Sequence, residues 1–101
     1  MLMMHKVLSL LGLARRAGKL TFREAENLRA IRSGAAKLVI LAGDAGGAMA
    51  KKYRDKSNFY GVPLLVAAEK KDLGRALGTS PCTAVVILDA GLALRIKKLL
   101  E

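Results

Sequence analysis

The stretch Lys37-Leu38-Val39-Ile40-Leu41-Ala42 decides the fold class. It is a continuous β-branched and leucine run of strand length with no polar alternation, which predicts a strand buried on both faces. Thr83-Ala84-Val85-Val86-Ile87-Leu88 repeats that character and predicts a second such strand. Val62 to Ala67, entered through Pro63, predicts another. Each run is bounded by turn-forming residues, Gly43 to Gly47 after the first and Thr79 to Pro81 before the last.

Helical patterns fill the intervals. From His5 to Ala17 the residues Val7, Leu8, Leu10, Leu11, Leu13 and Ala14 follow helical spacing, and Gly18 stands where a C-cap wants glycine. Lys19 to Thr21 is a short extended piece. Thr21 with Glu24 three residues on predicts a capping box that opens a second helix, running to about Ser33 and stopped by Gly34. On that helix Ala25, Leu28 and Ile31 are expected on one face, Arg23, Glu26 and Ala30 on the opposite one, and Arg29 on the flank. Ala48 to Phe59 is helical and densely basic at Lys51, Lys52, Arg54 and Lys56, Lys70 to Leu77 is a short helix ended by Gly78, and Gly91 to Leu100 closes the chain. Helices alternating with buried strands predict a three-layer α/β/α sandwich on a small mixed sheet. One domain over residues 1–101 is expected, with no internal repeat or linker.

Charge points to the partner. Eighteen Lys and Arg against eight Asp and Glu leave a formal charge of +10, a field that attracts polyanions. Nucleic acid fits better than an anionic membrane surface, because surface-binding helices use Trp and Phe on their apolar face and this chain has no Trp and two Phe. The single cysteine, Cys82, leaves no internal disulfide and no zinc site, so a reducing, cytoplasmic setting is expected. The leucine-rich segment from Met1 to Ala14 is short, interrupted by Ser9 and Gly12, and read as an amphipathic helix rather than a leader.

Enzymatic machinery is thin. His5 is the only histidine and has no partner motif, and a lone cysteine without an activating base is ordinarily an inert small hydrophobe. The Gly43 to Gly47 loop follows a strand, yet lacks the Lys-Ser/Thr of a phosphate-binding P-loop. Its Gly-x-x-Gly matches the bare KH signature in the wrong setting, since that loop joins two helices. Aromatics at 4% and the lack of an RNP-like cluster give little support to a stacking platform of the RRM kind. What remains is recognition by backbone, shape and helix ends. Lys19, Arg23, Arg29, Arg32 and Lys37 bracket the second helix, whose N-terminal amides suit a phosphate or base edge. No cofactor is expected.

Beyond these readings, Leu11-Gly12-Leu13-Ala14-Arg15-Arg16-Ala17-Gly18-Lys19, the block Ala30-Ile31-Arg32-Ser33-Gly34-Ala35-Ala36-Lys37-Leu38-Val39-Ile40-Leu41-Ala42-Gly43-Asp44, Val62-Pro63, Leu73-Gly74 and Val86-Ile87-Leu88-Asp89 together resemble bacterial members of the ribosomal protein L7Ae family, related to the L30e type. The resemblance spans nearly the whole chain. It implies an α/β/α sandwich that binds kink-turn RNA, a bent helix with tandem sheared G·A pairs and a flipped-out nucleotide. It implies that the second helix enters the widened groove through a G-x-N-E-x-x-K pattern, which falls here on Arg23, Ala25, Glu26 and Arg29. Glu26 matches and Arg29 is a basic substitute, whereas Arg23 replaces the glycine and Ala25 the asparagine. Glu24 follows the glycine position, as in bacterial members. The loop before the last strand, Ser80, Pro81, Cys82 and Thr83, is implied to cover the flipped base, and Asp44 joins the expected RNA-binding set. The expected partners are thus a kink-turn in ribosomal RNA or a structured mRNA and the ribosome, with no membrane and a monomeric state. A protein–protein adaptor of the same fold, with weakened RNA affinity, is the rival that the missing glycine and asparagine support.

Overall fold

The register of one strand pair explains why the two apolar runs lack polar alternation. The computed structural model describes residues 2–101, so Met1, the first residue of the expected amphipathic segment, lies outside the described residues. In chain order the elements are α1 (Leu2–Arg16), β1 (Leu20–Thr21), α2 (Glu24–Ser33), β2 (Leu38–Leu41), α3 (Gly47–Phe59), β3 (Leu64–Val66), α4 (Lys70–Leu77), β4 (Ala84–Ile87) and α5 (Ala90–Leu100). The strands order as β1-β4-β2-β3. The central pair β2 and β4 is antiparallel, with Leu38 opposite Ile87 and Leu41 opposite Ala84. β1 adds antiparallel to β4, and β3 adds parallel to β2, a step that needs the crossover supplied by α3. The sheet is therefore mixed.

Because successive strand residues point to opposite faces, the central pair feeds two cores. Leu38, Ile40, Val85 and Ile87 pack with Val7 and Leu11 of α1, Leu73 and Leu77 of α4, and Ile96 of α5. Val39, Leu41, Ala84 and Val86 pack with Leu28 and Ile31 of α2 and Tyr53 of α3. All eight side chains of β2 and β4 are buried, which is the three-layer sandwich. Each of the larger ones contributes roughly 1.5 to 3 kcal/mol through the apolar surface it removes from water. No described helix is long and apolar enough to cross a membrane.

Helix boundaries follow the local signals. Gly34 ends α2 at φ 85° and Gly78 ends α4 at φ 76°, left-handed backbone that a Cβ would strain. Two expectations for α2 fail. The Thr21–Glu24 capping box is not formed: the N-cap is Arg23, without a side-chain cap, and the Thr21 hydroxyl donates instead to Asn27 Oδ1 at 2.6 Å. The buried face is also rotated from the one expected. Asn27, Leu28, Ala30 and Ile31 are buried while Ala25 is exposed, because α2 is wedged between α3 and β4 and covered from both sides.

Candidate nucleic-acid interface

Antiparallel pairing brings the start of β4 beside the end of β2, and one end of the sheet collects three chain segments there. They are the residues entering α2, the first half of α3 and the loop before β4. Between them lies a groove of about 340 Å³ lined by Phe22, Arg23 and Glu24, by Met49 and Tyr53, and by Thr79 to Ala84.

Each wall is held by identifiable contacts. Behind the groove Asn27, with no exposed surface, donates from Nδ2 to the Tyr53 hydroxyl at 3.0 Å and to the Ala84 carbonyl at 3.1 Å. Its Oδ1 takes the Thr21 hydroxyl proton, so one amide ties β1, α2, α3 and β4 together. Burial pushes the Tyr53 hydroxyl above its ordinary pKa, opposed by the Asn27 bond and aided by the nearby Glu24 charge. The loop wall is clamped to α4, since the Cys82 amide donates to the Lys70 carbonyl at 3.0 Å and the Thr79 amide to the Gly74 carbonyl at 2.8 Å. Gly74 makes this approach possible. A Cβ there would stand 2.3 Å from the Ser80 carbonyl oxygen.

The expected site residues separate into groups. Arg23, Glu24, Ser80, Pro81, Cys82 and Thr83 all line the groove. The Arg23 guanidinium lies 4.9 Å from the Phe22 ring centroid, and Glu24 accepts from Lys52 of α3 at 2.8 Å. Glu26 and Arg29 are exposed on α2, three residues apart, and neither lines the groove. Ser80 and Pro81 are exposed and Thr83 half-buried. Cys82 is a core residue at 5% exposure, its thiol donating to the Ala84 carbonyl at 3.2 Å and held above its ordinary pKa by burial. The loop's outer surface is thus carried by its neighbours. Asp44 is engaged structurally, accepting from the Lys70 amide at 2.8 Å where α4 begins.

Lys19, Arg32 and Lys37 lie away from the groove. Lys19 precedes β1 and its Nζ stands 4.0 Å from Asp89, while the Lys37 amide donates to the Ile87 carbonyl at 2.7 Å. Both are therefore at the far end of β4, about 10 Å from Ala84 at ~3.4 Å per residue. Arg32 sits in the last turn of α2, about 13 Å along the helix from Arg23 at 1.5 Å per residue. Sequence reasoning overlooked Phe22, Met49, Tyr53 and Thr79 in the groove wall, and Asn27 behind it. The available signal was Phe22 next to Arg23, an aromatic beside a cation in a chain with few aromatics.

Residues 5–96 match the ribosomal protein L7Ae/L30e/S12e/Gadd45 family. The chain belongs to it. Within this L7Ae family the chain is 40% identical over 92 residues to "RNA-binding protein YlxQ" of Bacillus subtilis (strain 168), covering 91% of this chain and 92% of that protein. It is 38% identical over 97 residues to the Enterococcus faecium protein of the same name, covering 96% and 93%. A Bacillus halodurans structure described as a protein with unknown function superposes with TM-score 0.89 at 39% identity, covering 94% of this chain and 96% of that one. The Giardia lamblia 15.5kD RNA binding protein superposes with TM-score 0.79 at 23% identity over 98% and 91%, a likeness of fold. Among the described residues no cluster of three or more His, Cys, Asp or Glu could hold a metal ion.

Proposed function

We propose that this protein is a non-catalytic RNA-binding protein of the ribosome-associated kind that recognises and stabilises kink-turn RNA. The observation that carries the reading is the groove, in which Arg23, the uncapped start of α2 and the Thr79 to Thr83 loop face one depression. Its roughly 340 Å³ offers room for one extruded nucleobase. The first amides of α2 lack intrahelical partners and sit at the positive end of the helix dipole. They suit a phosphate or a base-edge acceptor beside the kink. Glu26 and Arg29, exposed further along α2, would meet the sheared G·A pairs, where the Arg fork can satisfy guanine acceptors. Ser80 and Pro81 would cover the base from the other side without reading its identity.

Support comes from family membership, from the RNA-binding names of relatives near 40% identity, and from a charge of +10. The test is a gel-shift comparison of a kink-turn RNA with a variant whose G·A pairs are replaced by Watson–Crick pairs. Tighter binding to the intact kink-turn is expected. Equal binding to both would leave only a generic polycation, and binding to neither would favour an adaptor of the same fold.

A further inference from the structure

Arg15 and Arg23 share one aromatic ring. Their guanidinium carbons lie 4.8 and 4.9 Å from the Phe22 centroid, within cation–π range. Phe22 and Arg23 belong to the groove described above, whereas Arg15 lines a second and larger depression of about 940 Å³ between α1 and α4. The Phe22 ring is the bridge between the two. Arg15 is fixed there, because it also donates to the Leu77 carbonyl at the end of α4. The helices flanking the second depression pack closely where Gly12 meets α4: a Cβ on Gly12 would stand 3.0 Å from the Ala76 carbonyl oxygen.

Two more arginines, Arg16 and Arg75, line this depression against a single carboxylate, Asp72. Among the described residues none of these four arginines is held in an ion pair. Arginines thus outnumber carboxylates along this surface, and a polyanion placed there would meet planar forks suited to phosphate oxygens.

We propose that Arg23, Arg15, Arg16 and Arg75 form a continuous track that takes the phosphate backbone of an RNA stem flanking the kinked segment. The inference rests on the kink-turn reading for the groove itself and extends it to a second contact site on the α1–α4 side. An acidic peptide would match the charge. RNA is favoured because Arg15 and Arg23 on the two sides of the Phe22 ring join the second depression to the groove, so one polyanionic ligand can occupy both. Each added phosphate contact releases condensed counterions, which makes the contribution of the track visible in salt dependence.

Two RNAs test this, one kink-turn with its stems trimmed close to the G·A pairs and one with a stem extended by a helical turn. Arg16→Gln with Arg75→Gln should leave affinity for the trimmed RNA within about twofold and lower that for the extended RNA roughly tenfold, reducing its log–log salt slope by about 2. Arg16→Lys with Arg75→Lys should restore most of the loss. Equal loss on both RNAs would reduce the track to general field and overturn the proposal. No loss on either, the result expected if a peptide is the true occupant, would overturn it as well. The groove reading is scored separately, on the unmodified protein, by the intact against the Watson–Crick kink-turn. Failure of that comparison with stem dependence preserved would remove the kink and keep the track.

Discussion

The Asn27 side-chain amide donates to the Tyr53 hydroxyl at 3.0 Å inside the layer between α2 and α3, and both residues are buried at 0% and 1% exposure. A buried polar group without a partner costs about 1 to 3 kcal/mol. Asn27→Leu leaves the buried Tyr53 hydroxyl without its donor, takes the acceptor from the half-buried Thr21 hydroxyl and leaves the Ala84 carbonyl only the weak Cys82 thiol, so it should lower unfolding free energy by about 2 to 3 kcal/mol in urea titrations. Tyr53→Phe removes one partner and should cost about 1 kcal/mol. An Asn27→Leu protein as stable as the parent would show that the amide does not organise the groove.

The same pair sets an alkaline limit. Burial raises the Tyr53 pKa above its ordinary 10.0, so the native state holds that proton more tightly than the unfolded chain. The stability it supplies is complete below pH 10 and is lost as pH climbs through the folded value. Tyr53→Phe should flatten this alkaline decline in a stability–pH series. An unchanged slope would place the titrating group elsewhere.

Cys82 supplies a test of which side of its loop faces the core. Its buried thiol, with a raised pKa, should react with an aromatic disulfide reagent far more slowly in native protein than in denaturant. Cys82→Asp would place an unpaired charge beside Leu73 and Leu77, and should cost about 3 to 5 kcal/mol. Rapid native labelling, or a stable Asp variant, would turn the side chain outward onto the RNA.

Gly74 positions the loop before β4. Gly74→Ala brings a methyl group within 2.3 Å of the Ser80 carbonyl oxygen, so backbone must move, and overpacking of this kind costs about 1 to 3 kcal/mol. Gly46→Ala meets open space and should be silent. Kink-turn affinity should fall for the first variant and hold for the second. The reverse order in gel shifts would detach the loop from binding.

Much of this architecture was readable from residues alone. The runs at Leu38 to Leu41 and Ala84 to Ile87 are buried on both faces as their uninterrupted apolar character demands, and Gly34 and Gly78 end their helices where expected. The site was less legible for a physical reason. Lys19 and Lys37 are near α2 in sequence, but the β1–β4 and β2–β4 registers carry them to the opposite end of the sheet. Strand register is a tertiary property. Thr21 and Glu24 satisfy the pattern of a capping box, yet the buried Asn27 offers the Thr21 hydroxyl an acceptor shielded from water. Ala25 and Ala30 exchanged faces because alanine tolerates either surroundings, so periodicity there had little to work with.

Arg29 distinguishes reading from attraction. Arg29→Ala should cost about 1 to 3 kcal/mol and narrow the preference for intact over G·A-disrupted RNA. Lys97 and Lys98 lie on α5, which packs with α1 on the other face of the sheet, so replacing both with Ala should weaken both RNAs slightly and equally. Greater loss of discrimination in the α5 double variant would move the binding face.

The central claim is that kink-turn RNA seats in the groove between the start of α2 and the loop before β4, and an amide chemical-shift titration of labelled protein with that RNA tests it most directly. Perturbations are predicted to concentrate at residues 22–29 and 79–84, with little change at Phe59, Tyr60 or along α5. Shifts centred on α5 or on the Phe59–Tyr60 end of α3, with the 79–84 amides unmoved, would contradict the account.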